Sequence, residues 1–173
     1  EDVTIDLAAD YGSLGGLGRT GAVDLIWAPS VVCARLEEDA AAVFKTVREG
    51  RTTYRSALVA RRDAGLTTST LAGKRAAWVD ATSLGGHLLV TEHLRGLGHD
   101  PRKLWASEAY VGSYPAALSA VLDGEADVCA MFVPDPRPEV IDRSLGLLVG
   151  PARAAKLATI FVTGAVPTDA IVV

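Results

Sequence analysis

Arg75-Ala-Ala-Trp-Val79, running into Asp80-Ala-Thr-Ser-Leu-Gly-Gly-His87, is the stretch that decides the fold. Its first half is a short apolar run between charged and turn-forming residues, the pattern of a buried strand. Beyond it Leu88, Leu89, Val90, Leu94 and Leu97 recur at helical spacing until Gly98 stops the pattern. A strand that passes through a Thr/Ser/Gly turn into a helix leaves several backbone N–H groups without intrahelical partners. Together with the positive end of the helix dipole, they attract an anion or a polar oxygen. The plainer reading of the same turn is an ordinary capped helix, with Thr82 or Ser83 as the N-cap.

Downstream the alternation continues. Asp100-Pro101 opens a new segment, and Leu104 to Val111 is strand-like. Gly112-Ser113-Tyr114-Pro115 is a second strand-to-helix turn, in which Ser113 can cap and Pro115 suits the first helical turn. Ala117, Leu118, Val121 and Leu122 give one apolar stripe closed by Gly124, and Ala126 to Val133 reads as a buried strand ended by Pro134-Asp-Pro-Arg-Pro138. Residues 71–133 are thus strand, helix, strand, helix, strand, which argues for a parallel sheet with right-handed crossovers. In such sheets ligands sit beyond the carboxyl ends of the strands.

Upstream, Val3-Thr-Ile-Asp-Leu7 alternates like a strand, and a glycine-rich helix is expected after the Asp10–Ser13 turn, with Gly21 as its stop. Ala22 to Trp27 reads as a buried strand ending at Ala28-Pro29-Ser30, a third strand end with a small hydroxyl residue. Helical periodicity is expected from Val31 to Phe44, with Glu37, Glu38 and Asp39 as a solvated acidic face. Arg55 to Ala60 is another strand, closed by Arg61-Arg-Asp-Ala-Gly65, and residues 67–73 form a short helical turn.

Composition narrows the function. The chain has 173 residues, 49% hydrophobic and 22% charged, so it can bury a proper core. A net charge of −4 gives no electrostatic case for nucleic acid. No apolar run approaches the roughly 18 residues needed to span a bilayer. Cys33 and Cys129 fit no metal spacing and read as buried thiols, and His87, His93 and His99 do not share a helical face. No metal or cofactor is expected. Asp127, on a buried strand, reads as structural.

The order Gly21-x-Val-Asp-Leu, Tyr54-x-Ser-x-Leu-Val-x-Arg-x-Asp-x-Gly65, Leu71-x-Gly-Lys-Arg-x-x-x-Val-Asp, Gly112-Ser113 and Val121-Leu-x-Gly-x-Ala-Asp127 resembles the phosphate/phosphite/phosphonate group of periplasmic solute-binding proteins, the capture components of ABC transporters. The resemblance covers nearly the whole chain. It implies an α/β, two-lobed flytrap fold, each lobe a mostly parallel sheet flanked by helices, with a small polar or anionic solute held in the interlobe cleft. Residues 1–56 would be an incomplete lobe one, 57–66 a hinge strand, 67–133 lobe two and 134–173 the return to lobe one. A first strand–helix unit and a last helix of the family would then lie outside the chain, and the open edge of lobe one would favour pairing with another chain. The resemblance also implies an ABC permease partner, a periplasmic or extracytoplasmic location and no catalysis.

Site residues carry over in part. The family's Ser-Thr-Ser-Gly turn meets this chain at Ser83, with Leu84 and Gly85 where Thr and the second Ser belong. Its Gly-Ser-His turn appears as Gly112-Ser113-Tyr114. A doubly charged phosphonate needs charge-assisted hydrogen bonds to offset its desolvation. Backbone donors of Gly85 and Gly86 suit a carboxylate, a sulfonate or a neutral oxygen instead. The candidate ligand-binding residues are therefore Thr82, Ser83, Leu84, Gly85, Gly86, Ser113 and Tyr114, with Ser30 at the third strand end, Tyr11, Trp27 and Tyr54 as aromatic walls, and Asp135 as a cleft carboxylate. Two other uses of the same fold stay open: a ligand-sensing domain of a signalling protein, or an enzyme on this scaffold.

Overall fold

The computed structural model describes residues 3–173. The chain forms two compact units, Glu1–Thr52 with Pro167–Val173, and Thr53–Val166. It is an α/β protein in which sheets are flanked by helices. The compact units change over at Thr52/Thr53 and Val166/Pro167.

In the first unit, α1 (Tyr11–Arg19), β1 (Ile26–Ala28), α2 (Ser30–Leu36) and β2 (Val43–Lys45) precede the crossing to the second unit. Their sheet is completed from the far end of the sequence, where β9 (Ala170–Val172) lies antiparallel between β1 and β2. Ile26, Ala28, Val32, Cys33, Leu36, Ala170 and Val172 make the core. Glycine suits α1 because a Cβ on Gly18 would lie 2.6 Å from Ile26 Cδ1 and 2.9 Å from Leu36 Cδ1, so helix and sheet meet at backbone distance.

Three sequence expectations are corrected here. Val3–Leu7 makes no strand: Val3, Ile5 and Leu7 are 83–93% exposed, and an alternating segment needs a neighbouring ladder. The strand expected over Ala22–Trp27 is the shorter Ile26–Ala28. The helix expected to reach Phe44 ends at Leu36, because Val43, Phe44 and Lys45 pair with Val172, Ile171 and Ala170. That pairing joins residues far apart in the chain, and local periodicity carries no trace of it.

The second unit holds β3 (Thr53–Arg61), β4 (Lys74–Trp78), α3 (Leu89–Gly96), α4 (Pro101–Leu104), β5 (Trp105–Tyr110), α5 (Tyr114–Leu122), β6 (Val128–Val133), α6 (Pro138–Val149), α7 (Pro151–Ala154) and β7 (Leu157–Val162). The two-residue β8 (Val166–Pro167) stands where the chain returns to the first unit. Strand order is β5-β4-β6-β3-β7. β4 runs parallel to both β5 and β6, as the strand–helix alternation of 71–133 requires. β3 is antiparallel to β6 and β7, so among the described residues the parallel pairing lies in that central run. In the first unit, too, the pairing is antiparallel throughout.

Side chains of β3 alternate between two cores. Ala57 and Val59 join Leu118, Val121, Met131, Ile141 and Leu145 on one face, while Leu58 and Ala60 join Leu71, Trp78, Val90, Leu94 and Leu104 on the other. Helices cover both faces, which is why the strands read as continuous apolar runs rather than alternating ones.

Asp127 locks the entry of β6 to β4. Its carboxylate accepts from the Arg75 backbone N–H at 2.8 Å and from the guanidinium at 2.9 and 3.1 Å, while Asp127 N–H donates to Arg75 O at 2.8 Å. Hydrogen bonding to Arg75 holds its carboxyl below the usual aspartate range. A depressed folded value adds stability that is present above the ordinary value near 3.9 and is lost as pH falls through the folded one. Asp127→Asn is expected to cost about 1 kcal/mol at neutral pH and to remove this part of the acid destabilisation. Urea midpoints at neutral and acidic pH check this, and parallel pH profiles for the two proteins would refute it.

Candidate functional site

The ends of β4 and β5 lie side by side, since Val111 N–H donates to Trp78 O and Gly112 N–H to Val79 O, each at 2.9 Å. The two strand-to-helix turns therefore leave from adjacent carboxyl ends, the place where ligands gather in parallel sheets.

Within the first turn, Ser83 caps the helix and Thr82 does not. Ser83 Oγ accepts from Gly86 N–H at 3.1 Å, and Ser83 is almost fully buried. Leu88 N–H reaches Ser83 O and Leu89 N–H reaches Leu84 O, giving a widened π-type turn over Leu84–Leu88 before α3 begins. Among the described residues, no protein acceptor meets the N–H groups of Leu84 and Gly85 or the hydroxyl proton of Ser83. Three donors thus stand at the head of one helix.

Gly85 is hemmed in by aromatic side chains. A Cβ placed there would lie 2.9 Å from the Tyr114 hydroxyl, 3.1 Å from Tyr54 Cε2 and 3.3 Å from Phe132 Cβ. Tyr114 and Phe132 rings pack with centroids 5.3 Å apart. The turn, Tyr54 and Tyr114 are therefore brought together, joined by Phe132, which the sequence pattern did not single out.

The remaining candidates make local bonds or lie in the other unit. Thr82 N–H and hydroxyl both donate to Asp80 Oδ1, at 2.7 and 2.6 Å, so Thr82 shapes the loop ahead of the cap. Ser113 Oγ accepts from Ala116 N–H as the cap of α5. Asp135 accepts from Arg137 N–H at 3.0 Å and from Arg137 Nε at 2.8 Å. Tyr11, Trp27 and Ser30 belong to the first unit. Tyr11 packs against that unit's core, and Trp27 is 63% exposed opposite Ile171 of β9. Ser30 opens α2 with its Oγ buried and without a hydrogen-bond partner among the described residues.

Two residues outside the candidate ligand-binding set hold the turn in shape. Ser56 of β3 is fully buried and donates its hydroxyl to Gly85 O at 2.6 Å. His87 Nδ1 lies 2.9 Å from Ala81 O, its ring edge-on to Tyr110 and tilted against Trp78. Trp78 is fully buried in the core and donates its indole N–H to Glu108 Oε2 at 2.7 Å. Burial, then the charges of Glu108 and Asp80, pushes the Tyr110 hydroxyl above its ordinary value, so this side of the turn carries negative charge. The signals for Ser56 were its place in the Tyr54-x-Ser motif and its being a serine in an otherwise apolar strand. Burial raises both cysteine thiols, and neither sits at this turn.

The fold is that of a periplasmic-binding-protein-like α/β protein. The family model described as "ABC transporter, phosphonate, periplasmic substrate-binding protein" matches residues 1–173, and the chain belongs to that family. Among solved structures, a Xanthomonas citri protein bound to chloride ion shares 22% identity at a TM-score of 0.77, over 95% of this chain and 62% of that one. A binding protein component of an ABC phosphonate transporter from Pseudomonas aeruginosa shares 22% identity at 0.72, over 95% and 55%. PhnD1 from Prochlorococcus marinus, solved with methylphosphonate, shares 18% identity at 0.71, over 95% and 61%. The chain thus spans 55–62% of the length of these three, and at such identity the likeness speaks for the fold. No curated protein sequence matches it. Among the described residues no helix is long and apolar enough to cross a membrane, and no group of His, Cys, Asp and Glu could hold a metal ion.

Proposed function

We propose that this chain captures a small polar or anionic solute outside the cytoplasm for an ABC uptake system, and that the Ser83–Gly86 turn is where the solute is held. Family membership supports the receptor class. The observation that carries the site is the head of the widened helix, next to Tyr54 and Tyr114, where Leu84 N–H, Gly85 N–H and the Ser83 hydroxyl meet no protein acceptor among the described residues.

The donors favour a single charge over a double one. Leu84 and Gly85 supply backbone N–H groups but no hydroxyls, and Tyr114 stands in place of the family's histidine. Asp80 already places a carboxylate in the same loop, bonded to Thr82. A dianion would meet that charge with few charge-assisted bonds to offset its lost hydration. A sulfonate or carboxylate asks less of the turn, and aromatic walls suit an organic substituent.

A thermal-shift panel of phosphate, methylphosphonate, ethanesulfonate and amino acids tests this. At a hundredfold excess over Kd, a ligand specific for the folded state adds about 2.7 kcal/mol. For a chain of this size that raises Tm by roughly 5–11 °C. A sulfonate or amino acid is expected to produce such a shift, while phosphate and methylphosphonate produce little. A largest shift from methylphosphonate would overturn the preference, and no shift from any solute would count against the receptor reading.

A further inference from the structure

We propose that Ser56 is the positioning residue of the binding turn, fixing through one peptide plane the direction in which Ser83 offers its hydroxyl proton. The inference rests on the turn being the solute site. It begins from a polar group in an unlikely place: Ser56 is fully buried at the head of Ala57-Leu58-Val59-Ala60, itself completely buried. A hydroxyl so placed must find a partner. Two carbonyl oxygens are in reach, Gly85 O at 2.6 Å and Met131 O at 3.3 Å, and one proton cannot serve both. The shorter contact takes it, so the bond goes to the turn rather than to the neighbouring strand.

That bond has a consequence beyond satisfying Ser56. Gly85 C=O and Gly86 N–H belong to one planar peptide unit, so holding the oxygen sets the direction of the hydrogen. Gly86 N–H donates to Ser83 Oγ at 3.1 Å. A continuous chain therefore runs from Ser56 hydroxyl to Gly85–Gly86 peptide to Ser83 oxygen. Each member polarises the next, and the terminal hydroxyl keeps its proton for an outside acceptor. No residue at position 85 or 86 has a side chain that could do this work, since both are glycine.

Ser56 is itself held in place. Its backbone N–H donates to Thr163 Oγ at 3.0 Å, and Thr163 N–H donates to Ser56 O at 2.8 Å. Val59, three residues further along β3, is just as fully buried, and its side chain packs with Leu118, Met131 and Leu145. It is the control for merely structural loss.

The experiment compares the wild-type chain with Ser56→Ala and Val59→Ala. Amide hydrogen exchange is followed without ligand over residues 83–88, and calorimetry uses ethanesulfonate as the probe. Both variants are expected to melt lower than wild type. Only Ser56→Ala should speed exchange at Gly86 and Leu88, by about tenfold, and weaken the probe by about tenfold. Ser56→Cys, with its weaker donor, should fall between, and it replaces the alanine variant if that one does not fold. Unchanged exchange at 83–88 in Ser56→Ala, or equal acceleration in Val59→Ala, would overturn the proposal. Wild type that binds no probe would tell against the receptor reading, while the exchange data would still judge Ser56.

Discussion

Replacing Gly85 with valine is expected to abolish solute binding in a chain that stays folded. A Cβ there would stand 2.9 Å from the Tyr114 hydroxyl, 3.1 Å from Tyr54 Cε2 and 3.3 Å from Phe132 Cβ, before valine's two methyl groups are counted. The Tyr114 hydroxyl is the far end of a side chain and can swing aside, but Phe132 Cβ is fixed to β6. The turn must therefore move outward, carrying the Leu84 and Gly85 N–H groups and the Ser56-bonded carbonyl with it. Overpacking of this kind costs about 1–3 kcal/mol, against a typical total stability of about 5–15 kcal/mol. Binding depends on donor placement and loses more in relative terms: an affinity drop beyond a hundredfold, about 2.7 kcal/mol, is expected. Gly85→Ala should lie between. Isothermal calorimetry with the best solute of the thermal-shift panel, beside a melting curve for each variant, decides it. Unchanged affinity would remove the turn from the site.

How much of this was legible in the sequence depends on the range of the interactions. The parallel β4-β5-β6 core was readable because each strand and its following helix are contiguous, and apolar spacing reports them directly. Ser113 was readable as a cap, and Ser83 as one of two candidates with Thr82, because a cap acts over three residues. The three-stranded sheet of the first unit was not, since β9 comes from the other end of the chain and turns the expected tail of a helix into β2. Phe132 and Ser56 escaped for the same reason: only the packing of β3 and β6 beside the turn gives them a role. His87 shares no helical face with the other histidines, and its contact with Ala81 is one that no spacing rule anticipates.

Trp78→Ala is expected to be the most destabilising single change in the second unit. Trp78 is the largest fully buried side chain, packed edge-on to Trp105 at 5.5 Å between ring centroids and tilted against His87 at 5.3 Å. Removing an indole from such a site costs about 3–5 kcal/mol in lost burial and cavity, a fall in Tm of roughly 6–20 °C for a chain of this length. The effect should not stop at the core. Trp78 ends β4, and Val79 beside it fills the space at Gly86, where a Cβ would lie 2.6 Å from Val79 Cγ2. Slack behind Val79 therefore loosens the peptide that Ser56 and Ser83 hold, and solute affinity should fall along with stability. Trp78→Phe separates the two causes. It keeps most of the ring but leaves Glu108 without the indole donor, and Glu108 is exposed enough for water to replace that bond. The phenylalanine variant should lose about 1–2 kcal/mol and keep its affinity. Urea unfolding and calorimetry on both variants test this. A Trp78→Ala protein that melts close to wild type would refute the expected loss of core packing, and a Trp78→Phe protein that loses affinity as fully as the alanine one would mean that the indole supports the turn by its hydrogen bond to Glu108 rather than by filling the core behind it.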